Sequence, residues 1–209
     1  MLPTPPLIYI VDDDAAVRTA IRLLIRSANL LVETHASADE FLAHFDADRH
    51  GCIVLDVRMP GLNGLELQDQ LNARHVITPI IFITGHGDVP MAVEAMQQGA
   101  QDFLQKPFQD QELLERIHAA LARDALTRQG LLQRESIRQR LNELTPRERE
   151  VLKLVTDGHA NKVIAGDLAL SQRTVEIHRA RVMEKMQARS LAHLVRMVIA
   201  LDNAPTPQP

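Results

Sequence analysis

The sequence has little of what marks secreted, disulfide-bonded or membrane-spanning proteins. It contains one cysteine, Cys52, which excludes a disulfide framework within the chain and makes a reducing cytoplasm the expected compartment. No apolar run approaches the roughly 18 residues that indicate a membrane-spanning helix. The first six residues have neither the basic start nor the apolar core of a signal peptide. We therefore expect a cytoplasmic, globular protein without a membrane partner.

Charge is distributed unevenly along the 209 residues. Residues 1–123 contain 9 lysines and arginines against 17 aspartates and glutamates, a net charge of −8. Residues 124–141 and residues 142–209 each have a net charge of +2. An acidic N-terminal part and a mildly basic C-terminal part indicate different partners for the two parts of the chain. The length allows two small domains.

The first 123 residues alternate short apolar runs with amphipathic stretches. Continuous apolar runs at residues 7–11, 52–55 and 79–83 are typical of strands buried on both faces. Weaker runs at residues 31–36 and 102–105 predict edge strands. Helical spacing of apolar residues separates these runs, so that strand and helix alternate five times. The pattern predicts an α/β fold with a doubly wound, five-stranded parallel sheet.

The rest of the chain contains only helical patterns. We predict a domain over residues 1–123, a linker helix over 124–141 with Gly130 as its weakest point, and an all-α domain over 142–203. Residues 204–209 include three prolines and are predicted to be disordered.

Four sets of residues predict helix N-termini. Ser37 with Glu40, and Thr145 with Glu148, have the spacing of capping boxes. Ser171 and Ser190 are expected to cap the third and fourth helices of the second domain.

Polar side chains follow the ends of four predicted strands. They are Asp12, Asp13 and Asp14 after the first strand, Asp56 at the end of the third, Thr84 at the end of the fourth and Lys106 after the fifth. Ligands of open parallel sheets bind outside the carboxyl ends of the strands, so these residues are expected to converge. Aspartates at strand ends are also common turn residues and caps, and Asp14 is the expected cap of the first helix. Four matching positions favour a functional site.

The chemistry of that set points to phosphoryl transfer. Clustered carboxylates need a cation, and oxygen ligands select Mg²⁺, with Mn²⁺ as an alternative. Lys106 and Thr84 add a positive charge and a hydroxyl donor for phosphoryl oxygens. A free carboxylate can be the nucleophile and form an aspartyl phosphate.

The motifs at these strand ends resemble those of response-regulator receiver domains, in particular the FixJ subfamily. They are VDDD at 11–14, LDVRMPG at 55–61, ITG at 83–85, GHGDVPMAVEAM at 85–96 and KPF at 106–108. The resemblance implies a flavodoxin-like fold and a cis peptide bond before Pro107.

The same resemblance implies a role for each site residue. Asp56 would be the phosphoacceptor, with Asp13, Asp56 and the carbonyl of Arg58 on Mg²⁺ and Asp12 holding the ion through water. Thr84 would be the switch hydroxyl and Lys106 the phosphate-binding cation. Phe103 would be the switch aromatic residue that rotates inward as Thr84 moves, although ordinary strand packing is the alternative for this side chain.

Residues 161–168, a short turn and residues 171–181 have the pattern of a helix-turn-helix. Val163, Ile164, Leu168, Leu170, Val175 and Val182 are spaced to pack its two helices together. This leaves an outward face suited to base edges in the major groove, formed by Arg173, Glu176, Ile177, Ala180 and Arg181. The residues expected at phosphates are Lys162, Thr174, His178, Arg179 and Lys185.

The second domain resembles the LuxR-type DNA-binding domain. The matching positions are TPRE at 145–148, VL at 151–152, Gly158, NK at 161–162, IA at 164–165, TV at 174–175, His178 and Lys185. The family's usual leucine after that lysine is Met186 here. The resemblance implies four helices, the last of which mediates dimerisation on DNA.

Together, the two resemblances imply a two-component transcriptional regulator. A sensor histidine kinase would phosphorylate Asp56, receivers would pair, and the homodimer would bind double-stranded promoter DNA and contact RNA polymerase. The protein would not be an enzyme beyond its own phosphorylation and slow dephosphorylation.

Two alternatives remain at this point. One is a phosphohydrolase with Asp56 as nucleophile, but haloacid-dehalogenase-like enzymes have an aspartate where this chain has Arg58. The other is a phosphorylation-independent regulator whose receiver only dimerises, although such proteins usually lack part of the acidic set.

Overall fold

The structure is a computed structural model that describes residues 4–85 and 89–202, apart from the side chains of Val89, Pro90 and Asp202. The chain forms two compact units, Met1–Arg128 and Gln129–Pro209. The first unit therefore extends five residues past the expected boundary at residue 123. The tail predicted to be disordered, residues 204–209, lies outside the described residues.

The first unit is built on a five-stranded parallel sheet of order β2-β1-β3-β4-β5, which confirms the predicted α/β fold. The strands are β1 (Leu7–Val11), β2 (Leu31–His35), β3 (Gly51–Asp56), β4 (Ile80–Thr84) and β5 (Asp102–Gln105). The helices between them are α1 (Ala15–Ser27), α2 (Ala38–His44), α3 (Gly64–Ala73) and α4 (Val89–Gln97).

Both faces of the sheet are covered by apolar side chains. Along β1, Tyr9 and Val11 belong to the core under α2 and α3, whereas Ile8 and Ile10 belong to the core that includes Ile21 of α1. The three central strands are buried along their whole length. Burial on both faces explains why their sequences are continuous apolar runs.

Helix caps are only partly as predicted. The Asp14 side chain accepts from the amides of Ala16 and Val17 and caps α1, as expected. Ser37 accepts from the amide of Glu40, but the Glu40 carboxylate accepts from the amide of Ala36. The predicted capping box at Ser37 is therefore wrong in its second half, because the carboxylate reaches one residue further back.

Two glycines allow the backbone to pack closely at β3. A Cβ on Gly51 would lie 2.0 Å from the carbonyl oxygen of Leu7. A Cβ on Gly64, at the start of α3, would lie 2.3 Å from the carbonyl oxygen of Asp56. These contacts are with backbone atoms, so a side chain at either position would displace β1 or the residue that ends β3.

A long helix, α5 (Asp110–Asn142), begins in the first unit and ends in the second. It continues through Gly130 without a break, so the predicted linker helix is part of a longer helix. None of the described helices is long and apolar enough to cross a membrane.

The second unit contains the four predicted helices of its domain. They are α6 (Pro146–Thr156), α7 (Asn161–Asp167), α8 (Gln172–Lys185) and α9 (Leu191–Asp202). Thr145 and Glu148 form a complete capping box, and Ser171 and Ser190 accept from amides in the first turns of α8 and α9. Their core includes Val151, Ile164, Val175, Val182 and Met186.

Candidate functional site

Two buried carboxylates and one lysine meet at the carboxyl edge of the sheet. Lys106 Nζ donates to Asp12 Oδ2 over 2.8 Å and to Asp56 Oδ1 over 2.6 Å. Asp12 and Asp56 are 1% and 6% exposed, because β1 and β3 are adjacent central strands. Lys106 follows β5, on the other side of β4, and its long side chain reaches across that strand. The predicted convergence of these three residues is therefore present.

Backbone amides bind the remaining carboxylate oxygens. Asp56 Oδ2 accepts from the amide of Arg58 over 2.8 Å, and Asp12 Oδ1 accepts from the amide of Asp14 over 2.8 Å. Arg18 of α1 donates to the carbonyl oxygen of Asp12 over 2.6 Å. Sequence reasoning missed Arg18, and no motif marks it. These bonds hold each carboxylate in one orientation before any ligand arrives.

Burial sets the electrostatics of the site. It raises the pKa of the Asp56 carboxyl, and the bonds with Lys106 offset only part of this effect. Burial also acts to lower the pKa of Lys106, but the bonds to Asp12 and Asp56 outweigh it and leave the pKa above its ordinary value. Lys106 is therefore a fixed positive charge beside Asp56 at neutral pH.

The structure distinguishes the two aspartates that were predicted to hold a metal with Asp56. Asp12 is buried and shares Lys106 with Asp56, whereas Asp13 is exposed. Within residues 4–85 and 89–202, no three His, Cys, Asp or Glu side chains are grouped as a metal site. Mg²⁺ needs only one or two carboxylates because it keeps several waters, so an oxygen-only edge with two buried carboxylates fits this ion.

The predicted switch residues lie on neighbouring strands. Thr84 ends β4 and is 2% exposed. Phe103 of β5 is half-buried, pairs with Phe82 of β4 and packs on the core under α3 and α4. The peptide bond between Lys106 and Pro107 is cis, as expected.

In the second unit, α7 and α8 form the predicted helix-turn-helix. Ile164 and Val175 are buried between them, with Val182 further along α8. Val163 was expected in this core but is 48% exposed, because it lies one helical position, or about 100°, from Ile164. The turn passes through Ala169, whose φ of 54° is left-handed.

The outward face of α8 has the predicted composition. Its five members, Arg173, Glu176, Ile177, Ala180 and Arg181, are all exposed. Ile177 is 47% exposed and places an aliphatic group among the charged side chains of this face. Exposed arginines, a carboxylate and an aliphatic group on one helix face are the groups that read base edges.

The five residues predicted to contact phosphates differ in their exposure and in the hydrogen bonds that their side chains already form. Lys162 is exposed, and His178 is half-buried. Thr174 shares a hydrogen bond of 2.8 Å with the Ser171 hydroxyl, and Arg179 donates to the side chain of Asn161. Lys185 donates over 2.7 Å to Glu148, which is 2% exposed, and over 3.1 Å to the carbonyl oxygen of Glu143. Lys185 therefore has a structural bond that the sequence did not reveal.

Family models match most of the chain. The model of the response regulator receiver domain matches residues 8–118. The model of bacterial regulatory proteins of the luxR family matches residues 142–198.

Relatives of known type align over nearly the full length. The transcriptional regulatory protein FixJ of Azorhizobium caulinodans is 49% identical over 95% of this chain and 94% of its own length. Nodulation protein W of Bradyrhizobium diazoefficiens is 47% identical over 93% of this chain and 86% of its own. Among solved structures, the response regulator StyR has a TM-score of 0.84 and 47% identity, covering 94% of this chain and 99% of that one. Full-length FixJ from B. japonicum has a TM-score of 0.60 and 43% identity, covering 96% and 99%.

We predict that Glu148→Gln destabilises the second unit at neutral pH. The Lys185 bond, and then the amide of Thr145, hold the pKa of Glu148 below its ordinary value of 4.5. The ionised form is thus favoured by folding, and this stability is complete above the unfolded carboxyl's pKa and is lost as the pH falls through the lowered one. Urea unfolding at pH 7 should show a loss of about 1.5–3 kcal/mol, the usual contribution of a hydrogen bond to a charged group.

In acid, where both wild type and variant are uncharged at this position, the difference should disappear. Glu150→Gln is the matched control, because Glu150 is exposed on the same helix and its ion pair among the described residues is with Arg147. A loss that is equal at all pH values would contradict the assignment to the ion pair.

Proposed function

The chain belongs to the FixJ-like response regulators, which join a receiver domain to a LuxR-type DNA-binding domain, and we propose that phosphate on Asp56 controls its binding to DNA. The family makes it a two-component transcription regulator, with a sensor kinase and DNA as its partners. The proposal rests on one observation, the sharing of Lys106 between the buried carboxylates of Asp12 and Asp56.

This arrangement supports Asp56 as the nucleophile toward a phosphohistidine of the kinase. An oxygen of Asp56 forms the new bond to phosphorus, the phosphorus–nitrogen bond breaks, and the histidine leaves with its electron pair and takes up a proton. Lys106 is bonded to Asp56 Oδ1 and exchanges this bond for one to a phosphoryl oxygen. Thr84, at the end of the neighbouring strand, donates a hydrogen bond from its hydroxyl to another phosphoryl oxygen.

Receiver domains of this family generally use Mg²⁺ at the phosphorylation site. We assign its ligands here to Asp13, Asp56 and the carbonyl of Arg58, with Asp12 acting through water, and Mn²⁺ is an alternative ion. When bound, the ion neutralises charge on the carboxylates and the transferred group. The rigid carboxylates of Asp12 and Asp56 preorganise the edge that receives it.

We also propose that the protein catalyses only its own phosphorylation and its slow dephosphorylation. Arg58 stands where a dehalogenase-like phosphohydrolase has its second aspartate, so no carboxylate at that position can act as the general acid or base.

The output step in this proposal is dimerisation. Phosphate on Asp56 draws Thr84 and Phe103 inward. This movement changes the surface formed by α4 and β5, and two receiver domains then pair through that surface. The homodimer places two helix-turn-helix units on a promoter, where it contacts RNA polymerase. Sedimentation should therefore show a monomer that becomes a dimer on phosphorylation. An unchanged mass, together with unchanged affinity for DNA, would contradict this step.

We predict that Asp56→Asn abolishes acid-labile phosphorylation by acetyl phosphate. The amide keeps the shape and the bond from the Arg58 amide but is not a nucleophile at phosphorus. The measurement is incorporation of radiolabelled phosphate into the full-length protein in Mg²⁺. Asp69→Asn is the control, since Asp69 is an exposed aspartate of α3.

Excess EDTA should suppress labelling of the wild type as completely as the substitution does, and Mn²⁺ should restore it. Full labelling of Asp56→Asn would assign the phosphate to another residue. Undiminished labelling in EDTA would remove the metal from the proposal and leave the phosphoacceptor in place.

We predict that exposed residues of α7 and α8 fall into two classes on DNA. Lys162→Ala should weaken binding to all sequences alike and reduce the slope of log affinity against log salt by about one unit. Arg173→Ala or Arg181→Ala should cost about 1–3 kcal/mol on the preferred site and relax the choice of base at one position. Lys162 is a cleaner test of phosphate contact than Lys185, whose loss would also leave Glu148 without its cation.

The measurement is selection of sites from a random library, followed by titration at several salt concentrations. The selected site should be an inverted or near-inverted repeat with half-sites about one helical turn apart. Glu176→Ala decides whether the carboxylate reads a base or only repels wrong sites. Identical selected sequences from wild type and this variant would show that Glu176 reads no base.

A further inference from the structure

Another buried carboxylate, with its own cation, lies at the opposite end of the sheet from Asp56. Asp124 of α5 has a fully buried side chain, and Arg128, one turn later, is bonded through Nε to both of its oxygens over 3.0 Å. Asp124 Oδ2 also accepts from the amide of Gly51 over 3.0 Å and contacts His50 Nδ1. We call Asp124 and Arg128 the clamp.

The guanidinium of the clamp also holds the loop between α2 and β3. Arg128 donates to the carbonyl oxygens of Ala47, Asp48 and Arg49 over 2.8–2.9 Å. It reaches the hydroxyl of Thr78, which precedes β4, over 3.3 Å. A planar fork with five donors can serve this many acceptors, and no other side chain can.

Little else holds this part of α5 to the first unit. Leu121 is the last buried apolar residue of α5 before the clamp, and Leu126 is 70% exposed. Among residues 122–128, only Asp124 is buried. Since no apolar face fixes these two turns, their attachment depends on the clamp.

The clamp touches the strands that carry the phosphorylation site. Gly51, bonded to Asp124, begins β3, and Asp56 ends it. Thr78, bonded to Arg128, lies two residues before β4, and Thr84 ends that strand. Each strand is five or six residues long and buried, so a displacement at one end reaches the other with little loss.

Arg128 is also the last residue of the first unit, and α5 continues from it into the second.

On this geometry, and resting on the proposed function, we propose that Asp124 and Arg128 are positioning residues that transmit the state of the receiver to the DNA-binding domain through α5. The clamp sets the rotation of α5 where it leaves the receiver. Without it, the helix is released from Leu121 onward, and the state of Asp56 no longer determines how the second unit is presented.

The test compares DNA affinity before and after phosphorylation in the full-length protein. The probe is the DNA fragment that the phosphorylated wild type selects from a random library, and acetyl phosphate is the phosphodonor. The variant is Asp124→Asn with Arg128→Gln, which removes the clamp without leaving a buried unpaired charge. The control is Arg123→Ala, an exposed arginine of the same helix that forms no ion pair with residues 4–85 or 89–202.

We expect the ratio of phosphorylated to unphosphorylated affinity to fall by about fivefold or more in the variant, given the usual size of coupling between sites. The rate of labelling of Asp56 should stay within about twofold of wild type, as should the ratio in Arg123→Ala. If the affinity ratio falls while Asp56 is labelled at the normal rate, the receiver is still folded. The defect then lies in transmission to the DNA-binding domain and not in general stability.

Should the double variant fail to fold, Arg128→Lys replaces it. Lysine keeps a cation beside Asp124 but cannot span three carbonyls, so an intermediate ratio is expected. A variant that folds and keeps the wild-type ratio overturns the inference alone. A wild-type ratio of one overturns the proposed function and the inference with it.

Discussion

The arrangement at the edge of the sheet depends on the charge of Lys106. Two aspartates from adjacent central strands are nearly buried there, and burying carboxylates is costly unless a cation and hydrogen bonds pair with them. Lys106 reaches both from beyond β4 and donates to one oxygen of each. Lys106 thereby links the ends of β1 and β3 to the segment that follows β5.

Every buried acidic side chain among the described residues is bonded to a lysine or an arginine. Asp12 and Asp56 share Lys106, Asp124 is bonded to Arg128, and Glu148 to Lys185. The lysine that binds Asp12 and Asp56 follows β5, and the lysine that binds Glu148 lies on α8. The arginine that binds Asp124 also reaches the loop before β3 and Thr78, which precedes β4. Removing one partner of such a pair is costly because the other group loses its partner, and the geometry of the pair is demanding. They fix which elements lie together at the carboxyl edge of the sheet, along α5 where the first unit ends, and between α6 and α8.

The DNA-binding unit separates packing from recognition on a single helix. Val175 and Val182 of α8 are buried, while Arg173, Ile177 and Arg181 point to solvent. Lys185 at the end of the helix binds Glu148 of α6 and so links the two helices. The exposed face of α8 is thereby held in place by buried valines and by this ion pair.

The amino-acid sequence alone determined the five strands, the four helices of the second domain, the caps at Asp14 and Thr145, and the convergence of Asp56 with Lys106. These follow from periodicity, local capping and the rule that ligands bind at the carboxyl ends of parallel strands. Only the tertiary structure decided that Asp12 rather than Asp13 is buried beside Lys106, that Val163 faces solvent, that Lys185 belongs to Glu148, and that Asp124 and Arg128 hold the loop before β3. Periodicity and caps are local, within about four residues along the chain. The partner of a buried charge is set by distance in space, and in these pairs it lies up to 94 residues away.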